Sequence, residues 1–185
     1  MRFDDGSPVA IPAPHGIGWP GESRPQRQAF VPGAGTVGVI GERERRYLEA
    51  APLGRLATAD AEGRPHVVPV CFALLDGDIL TPVDEKPQDV PPTELRRVRD
   101  IRANPRVALV VDHYAEDWSR LGWLQVRGTA TLQSPDDSDH PPAVAALRAK
   151  YDQYGTHALE ERPVVRVEPG TVRSWGSLAH PRGGE

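Results

Sequence analysis

"GRLATADAEGRPHVVPVCFALLDGDILTPV", Gly54 to Val83, decides the fold. Two turn-forming clusters, DAEG at 60–63 and DGD at 76–78, interrupt runs that are apolar or β-branched. Aspartate and glycine supply the unusual backbone angles that tight hairpins need, so three strands are predicted at 54–59, 64–75 and 78–83. Links this short permit antiparallel pairing only; a parallel pair needs a crossover of about a dozen residues or more.

The pattern changes on either side. Upstream, "GERERRYLEAAP" (41–52) predicts a short helix with Glu42 and Arg46 paired one turn apart. Tyr47, Leu48 and Ala51 form its apolar stripe, and Pro52 stops it. Downstream, "PPTELRRVRDIRANP" (91–105) predicts a second helix, with Leu95, Val98 and Ile101 inward and Arg96, Arg97, Arg99 and Arg102 around them. "RVALVVDHY" (106–114) and "GWLQVRGTATLQ" (122–133) predict strands. In the second, Trp123, Gln125, Arg127 and Thr129 share one face, and Leu124, Val126, Gly128 and Ala130 share the other. A turn and third helix follow over 134–154, then a strand pair or one bent strand over 162–175. The expectation is a mainly β domain over 41–180, preceded by an irregular tail over 1–40 whose first 35 residues hold six prolines and six glycines.

Gly33, Gly35 and Gly38 in "VPGAGTVGVIG" (31–41) match G-x-G-x-x-G, the spacing that cradles a dinucleotide pyrophosphate. That reading needs a strand ahead of it and a ribose-binding acid at the end of the next one. Here the preceding run is three residues cut by Pro32, and Asp60 falls in a hairpin turn, so the context is missing.

Composition narrows the function. A formal charge of −4 argues against a general nucleic-acid or acidic-membrane binder. One cysteine, Cys71, excludes an internal disulfide and suits a reducing compartment. The first residues are acidic rather than apolar, and no run reaches the length of a membrane span, so a cytoplasmic protein is expected. No G-x-S-x-G elbow and no metal-ligand spacing among the six histidines supports a hydrolase or a metal centre, and Cys71 lies in an apolar strand where thiols are inert.

What remains is the block from Leu56 to Leu109. "LATADAEGRPHVVPV", a strand ending near Lys86, and "LRRVRDIRANPRVAL" together resemble the pyridoxamine 5′-phosphate oxidase-like proteins, closest to the branch of probable F420-dependent enzymes. The resemblance spans roughly residues 42–175. It implies a six-stranded antiparallel split β-barrel of the FMN-binding type with peripheral α-helices, built as a homodimer whose cofactor groove lies at the interface. It implies an oxidoreductase passing a hydride from reduced coenzyme F420 to a small organic acceptor. The alternatives are an FMN-binding oxidase or reductase of the same fold, or a non-catalytic flavin or deazaflavin carrier.

The resemblance also assigns residues. His66, Val67, Val68, Pro69 and Val70 would line the ring, and Pro69, which cannot donate to a ladder, interrupts the sheet there. Lys86 would meet the cofactor phosphate. Gln125 and Arg127 would reach ring or phosphate or else simply face solvent, and Trp175 matches a frequent family tryptophan. Arg96 and Arg99 belong to a basic helix suited to the anionic tail of F420. Because the cofactor carries the chemistry, no dedicated catalytic side chain is required, and Tyr114 and His66 are the candidates for a proton donor.

Overall fold

The computed structural model describes residues 36–83 and 94–179. Lys86, the tail through Gly35 and the first residues of the second predicted helix lie outside them. The sheet contains β1 (Thr36–Val37), β2 (Gly54–Ala59), β3 (Pro65–Val70), β4 (Ala73–Leu75), β5 (Asp78–Pro82), β6 (Arg106–His113), β7 (Gly122–Gln133) and β8 (Val164–Gly176). Three helices accompany it, α1 (Glu42–Ala50), α2 (Arg96–Ala103) and α3 (His140–Lys150). Every strand pairing is antiparallel, in the order β3-β2-β6-β7-β8-β5-β4, with β1 beside the distal half of β8.

The expected count of six strands is corrected to eight. One addition is β1, which pairs with β8. The other comes from the run over 64–75, which is two strands rather than one. It breaks at Cys71 and Phe72, and the two halves lie at opposite edges of the sheet. Six strand-to-strand steps of about 4.8 Å would hold the edges of a flat sheet about 29 Å apart. Val70 and Ala73 are joined by a chain that spans at most about 11 Å. The sheet must therefore curl until its first and last strands nearly meet. The last run, over 164–176, is a single strand whose register against β7 shifts at Arg127/Gly128. The bulge forms where the backbones crowd, since a Cβ on Gly128 would sit 2.1 Å from the Glu168 carbonyl oxygen.

The hairpins obey their turn chemistry. Asp76 (φ 53°) and Gly77 (φ 92°) both occupy the left-handed region between β4 and β5. In the turn after β2, the Asp60 carboxylate accepts the backbone N–H groups of Glu62 (3.1 Å) and Arg64 (2.9 Å).

Inside the curl, Leu56, Leu109, Leu124, Val126 and Val167 are almost fully buried, closed off by Tyr47 and Leu48 of α1 and by Val98 and Ile101 of α2. A second apolar cluster lies outside β4, β5 and the start of β8, where α3 covers them with Ala143, Val144 and Leu147. No helix among the described residues is long and apolar enough to cross a membrane.

The corner at Phe72 has no strand partner, yet its polar groups are satisfied. The Tyr151 hydroxyl accepts the Phe72 N–H at 3.0 Å and lies within donating reach of the Phe72 (2.9 Å) and Pro52 (3.0 Å) carbonyls. Beside it, the Lys150 ammonium sits 3.9 Å from the Phe72 ring centroid and donates to the Leu48 carbonyl, in the last turn of α1, at 2.9 Å. Burial pushes the Tyr151 phenol up to about 12 and the Lys150 amine down to about 8.

Two predictions follow from this corner. Tyr151→Phe strands a buried N–H and carbonyl, and urea unfolding should show a loss of about 1–3 kcal/mol. Lys150 binds its proton less tightly folded than unfolded, so its contribution to stability rises with pH above about 8. Wild type should therefore gain on Lys150→Met between about pH 8 and 10 in parallel unfolding curves.

Candidate functional site

β3 is an edge strand whose other side pairs with β2. Pro65 and Pro69 are four residues apart and so fall on the same alternation, the one whose N–H positions face away from the ladder. Val67 lies between them on that alternation with its side chain 59% exposed. The margin thus offers carbonyls, one N–H and a ridge of Pro65, Val67 and Pro69. Side chains of the other parity turn inward: Val70 is 4% exposed and in the core, Val68 packs partly against it, and His66 points beneath the strand. Of the five residues assigned to a ring, Val67 and Pro69 present side chains outward and Val70 has only backbone to offer.

Beneath β3, three polar groups converge on one oxygen. Asp100, on α2 and only 5% exposed, receives a 2.8 Å hydrogen bond at Oδ2 from the Thr58 hydroxyl. The same oxygen lies 3.8 Å from His66 Nδ1 and 3.9 Å from Arg96 Nε. Thr58 and His66 are direct cross-strand partners, which brings hydroxyl and ring together over the helix. His66 Nδ1 is buried and makes no hydrogen bond.

A cleft of about 520 Å³ opens beside this cluster, between the β2–β3 turn and α2, lined by Asp60, Glu62, Arg64, Arg96, Arg99 and Asp100 among others. The basic face was expected from Arg96, Arg97, Arg99 and Arg102 of α2 with Arg106. Of these, Arg96 lies 3.9 Å from both Asp60 and Asp100, and across the cleft Arg64 pairs with Asp60 (2.6 Å) and Glu62 (2.9 Å). The Arg64 guanidinium holds the Asp60 carboxyl below the usual range. Arg99 alone of the cleft's three arginines has no ion pair among the described residues.

The other assigned residues lie elsewhere. Gln125 and Arg127 share the outer face of β7 and bond to each other, Nε to Oε1, at 3.1 Å. Trp175 stands directly opposite Trp123 across β7 and β8. These positions are separated from β3 by β2 and β6. Along the strand order the assigned residues therefore fall in two sets, one on β3 and α2 and one on β7 and β8. Tyr114 follows β6 with 69% of its surface exposed, and β6 is separated from β3 by β2.

Near Tyr114 the β6–β7 connection is stapled. The Tyr47 hydroxyl reaches His113 Nδ1 (3.0 Å) and the Gly122 carbonyl (3.3 Å), while His113 Nε2 contacts the Arg120 carbonyl. Burial, with Asp112 nearby, raises the Tyr47 phenol to about 12, so it serves as a donor. No three or more His, Cys, Asp or Glu side chains among the described residues gather as metal ligands.

A curled antiparallel sheet with a proline-bordered margin and an arginine-lined cleft can now be set beside known proteins. Residues 40–176 match the Pyridoxamine 5′-phosphate oxidase family. The chain belongs to that family. Among curated proteins, the 5a,11a-dehydrotetracycline/5a,11a-dehydrooxytetracycline reductase of Streptomyces rimosus subsp. rimosus is 28% identical over 141 residues, 73% of this chain and 82% of the relative. Among solved structures, the conserved hypothetical protein Rv2991 of Mycobacterium tuberculosis superimposes with a TM-score of 0.59 at 20% identity, covering 80% of this chain and 94% of that one. The heme storage protein HutZ of Vibrio cholerae gives 0.58 at 18% identity, covering 77% and 99%. A pyridoxamine 5′-phosphate oxidase-like protein of Lactobacillus delbrueckii gives 0.53 at 23% identity, covering 74% and 95%. The structures establish the pyridoxamine 5′-phosphate oxidase-like fold.

Sequence reasoning missed Asp100, Thr58 and Arg64. Two signals were present in this family member's own residues. Thr58 shares the inward alternation with Gly54 and Leu56, which puts a hydroxyl indoors and demands a partner. Asp100 is the one acid in an arginine-rich helix, between inward-facing Val98 and Ile101.

Proposed function

We propose that the protein is an oxidoreductase that binds the deazaflavin coenzyme F420 and uses its reduced form to deliver a hydride to an electrophilic carbon of a small organic acceptor. The observation that carries this reading is the β3 margin, a ridge of Pro65, Val67 and Pro69 with outward backbone acceptors; the turn that leads into β3 borders a cleft holding Arg99, which has no ion pair among the described residues. These residues suit a flat ring with an anionic arm. The relative named as a dehydrotetracycline reductase, which acts on an unsaturated polycycle, supports reduction as the chemistry.

When bound, the cofactor supplies the hydride. The chain's own part is placement and exclusion of water. Val67 and Pro69 would press on the ring and shield it. Arg99 would take an anionic oxygen of the arm, joined by Lys86 from outside the described residues. His66, on β3 itself, and Tyr114, directly after β6, would be the candidate proton donors.

FMN is the second reading, and one observation favours it. Asp60, Glu62 and Asp100 already engage Arg64 and Arg96, leaving less free positive charge than a polyglutamate tail would use. A single phosphate needs less.

The reading includes a homodimer. The outer face of β3, β2, β6 and β7 is covered by no described element, and in register it runs Val67, Ala57, Ala108, Arg127, with Pro69, Arg55, Val110, Gln125 beside it. Alanines at its centre keep this face flat, which suits a second copy of the same sheet and a groove shared between them.

Fluorescence titration of the purified protein against F420 and FMN separately should give the tighter response with F420. A response to FMN alone would transfer the reading to the flavin. Mixing the loaded, reduced protein with enones and quinones should oxidise the cofactor stoichiometrically, and binding without turnover would identify a carrier. Light scattering should report a dimer, and Ala108→Glu, which sets a charge in the flat face, should shift it to a monomer without altering the circular dichroism spectrum.

A further inference from the structure

Beneath β3 an imidazole and a carboxylate stand side by side. His66 Nδ1 is buried with no hydrogen-bond partner, and Asp100 Oδ2 lies 3.8 Å from it. That carboxylate is held from two other directions. The Thr58 hydroxyl donates to it at 2.8 Å, and Arg96 lies 3.9 Å away. A carboxylate only accepts, so the ring nitrogen facing it carries the proton. With the proton on Nδ1, the nitrogen left to exchange a proton is Nε2.

We infer that Asp100 is a positioning residue for His66: it holds the ring as the Nδ1–H tautomer and thereby leaves Nε2 as the proton-exchanging atom. Thr58 sets the carboxylate, and the carboxylate sets the ring. The placement makes chemical sense under the hydride-transfer reading, on which the catalytic use of His66 rests. An enone that accepts a hydride at its β-carbon gains a C–H bond and two electrons, breaks its C=C π bond and becomes an enolate. An imidazolium donates the Nε2 proton to the α-carbon, leaving a neutral ring whose remaining proton is on Nδ1, and solvent restores the Nε2 proton. Hydride and proton together add the two hydrogens of the saturated ketone.

The lock is tested without cofactor or substrate. Nitrogen-15 NMR of the labelled protein, at mildly alkaline pH where imidazoles are neutral, distinguishes a protonated from an unprotonated ring nitrogen. His66→Gln identifies the resonances by their loss. Wild type should show His66 with Nδ1 protonated and Nε2 bare. Asp100→Asn keeps the shape but leaves one oxygen, which the Thr58 hydroxyl claims, and turns an amide toward Nδ1, so the Nε2–H form should grow in. Asp100→Ala, which offers His66 no partner, checks the same point should the asparagine variant fold poorly. An Nε2–H ring in wild type, or a ring unchanged in both variants, would overturn the inference. With a reducible enone, Asp100→Asn should lower kcat at least tenfold and flatten its pH profile, with Asp100→Glu recovering part of the loss. A loss equal at every pH would reduce Asp100 to a structural anchor. Failure of the loaded wild type to reduce any acceptor would remove the hydride reading and leave the NMR result to decide the lock.

Discussion

Everything in this molecule depends on a chain too short to let its sheet lie flat. β3 and β4 are the two ends of the strand order, yet only Cys71 and Phe72 separate them. The curl that results turns Leu56, Leu109, Leu124 and Val167 toward a common interior and leaves α1 and α2 to close it. It also explains why the corner is so heavily bonded. A residue between two edges has no strand beside it, so its N–H and carbonyl need partners, and Tyr151 supplies them from the end of α3. The third helix therefore acts on the barrel's closure as well as covering β4 and β5.

The site inherits its form from the same constraint. Because the sheet curls without β3 pairing beyond β2, one margin stays open, and the prolines on it fix which backbone groups face outward. Under that margin, α2 packs through Val98 and Ile101 and places Asp100 where Thr58 and His66 meet it. A buried carboxylate is costly unless several donors surround it. Here it connects the helix to the hairpin through the Thr58 hydroxyl.

Most of the fold was legible in the residues. The antiparallel order followed from DAEG and DGD, the alternation of β7 was readable face by face, and the helix stripes at Tyr47–Leu48 and Val98–Ile101 are buried as their spacing required. The break at Cys71–Phe72 was not legible, because an apolar run that changes sheet edge looks the same as one that continues. The site was legible in part. The proline at 69 announced an interrupted edge, whereas the arginines of α2 read as a free basic face until their acids were placed. Asp60 and Glu62 come from a turn more than thirty residues earlier in the chain, and only the packing of α2 against that hairpin brings them opposite Arg96.

The two prolines of β3 also limit what this lineage can become. A neighbouring strand cannot zip onto an edge that lacks donors at two of its three outward positions, so the sheet cannot lengthen sideways into a larger barrel or a fibre. Novelty at that border must come from the side chain at position 67 and from whatever loops lean over it. Diversification there would change what is held while the scaffold beneath stays constant.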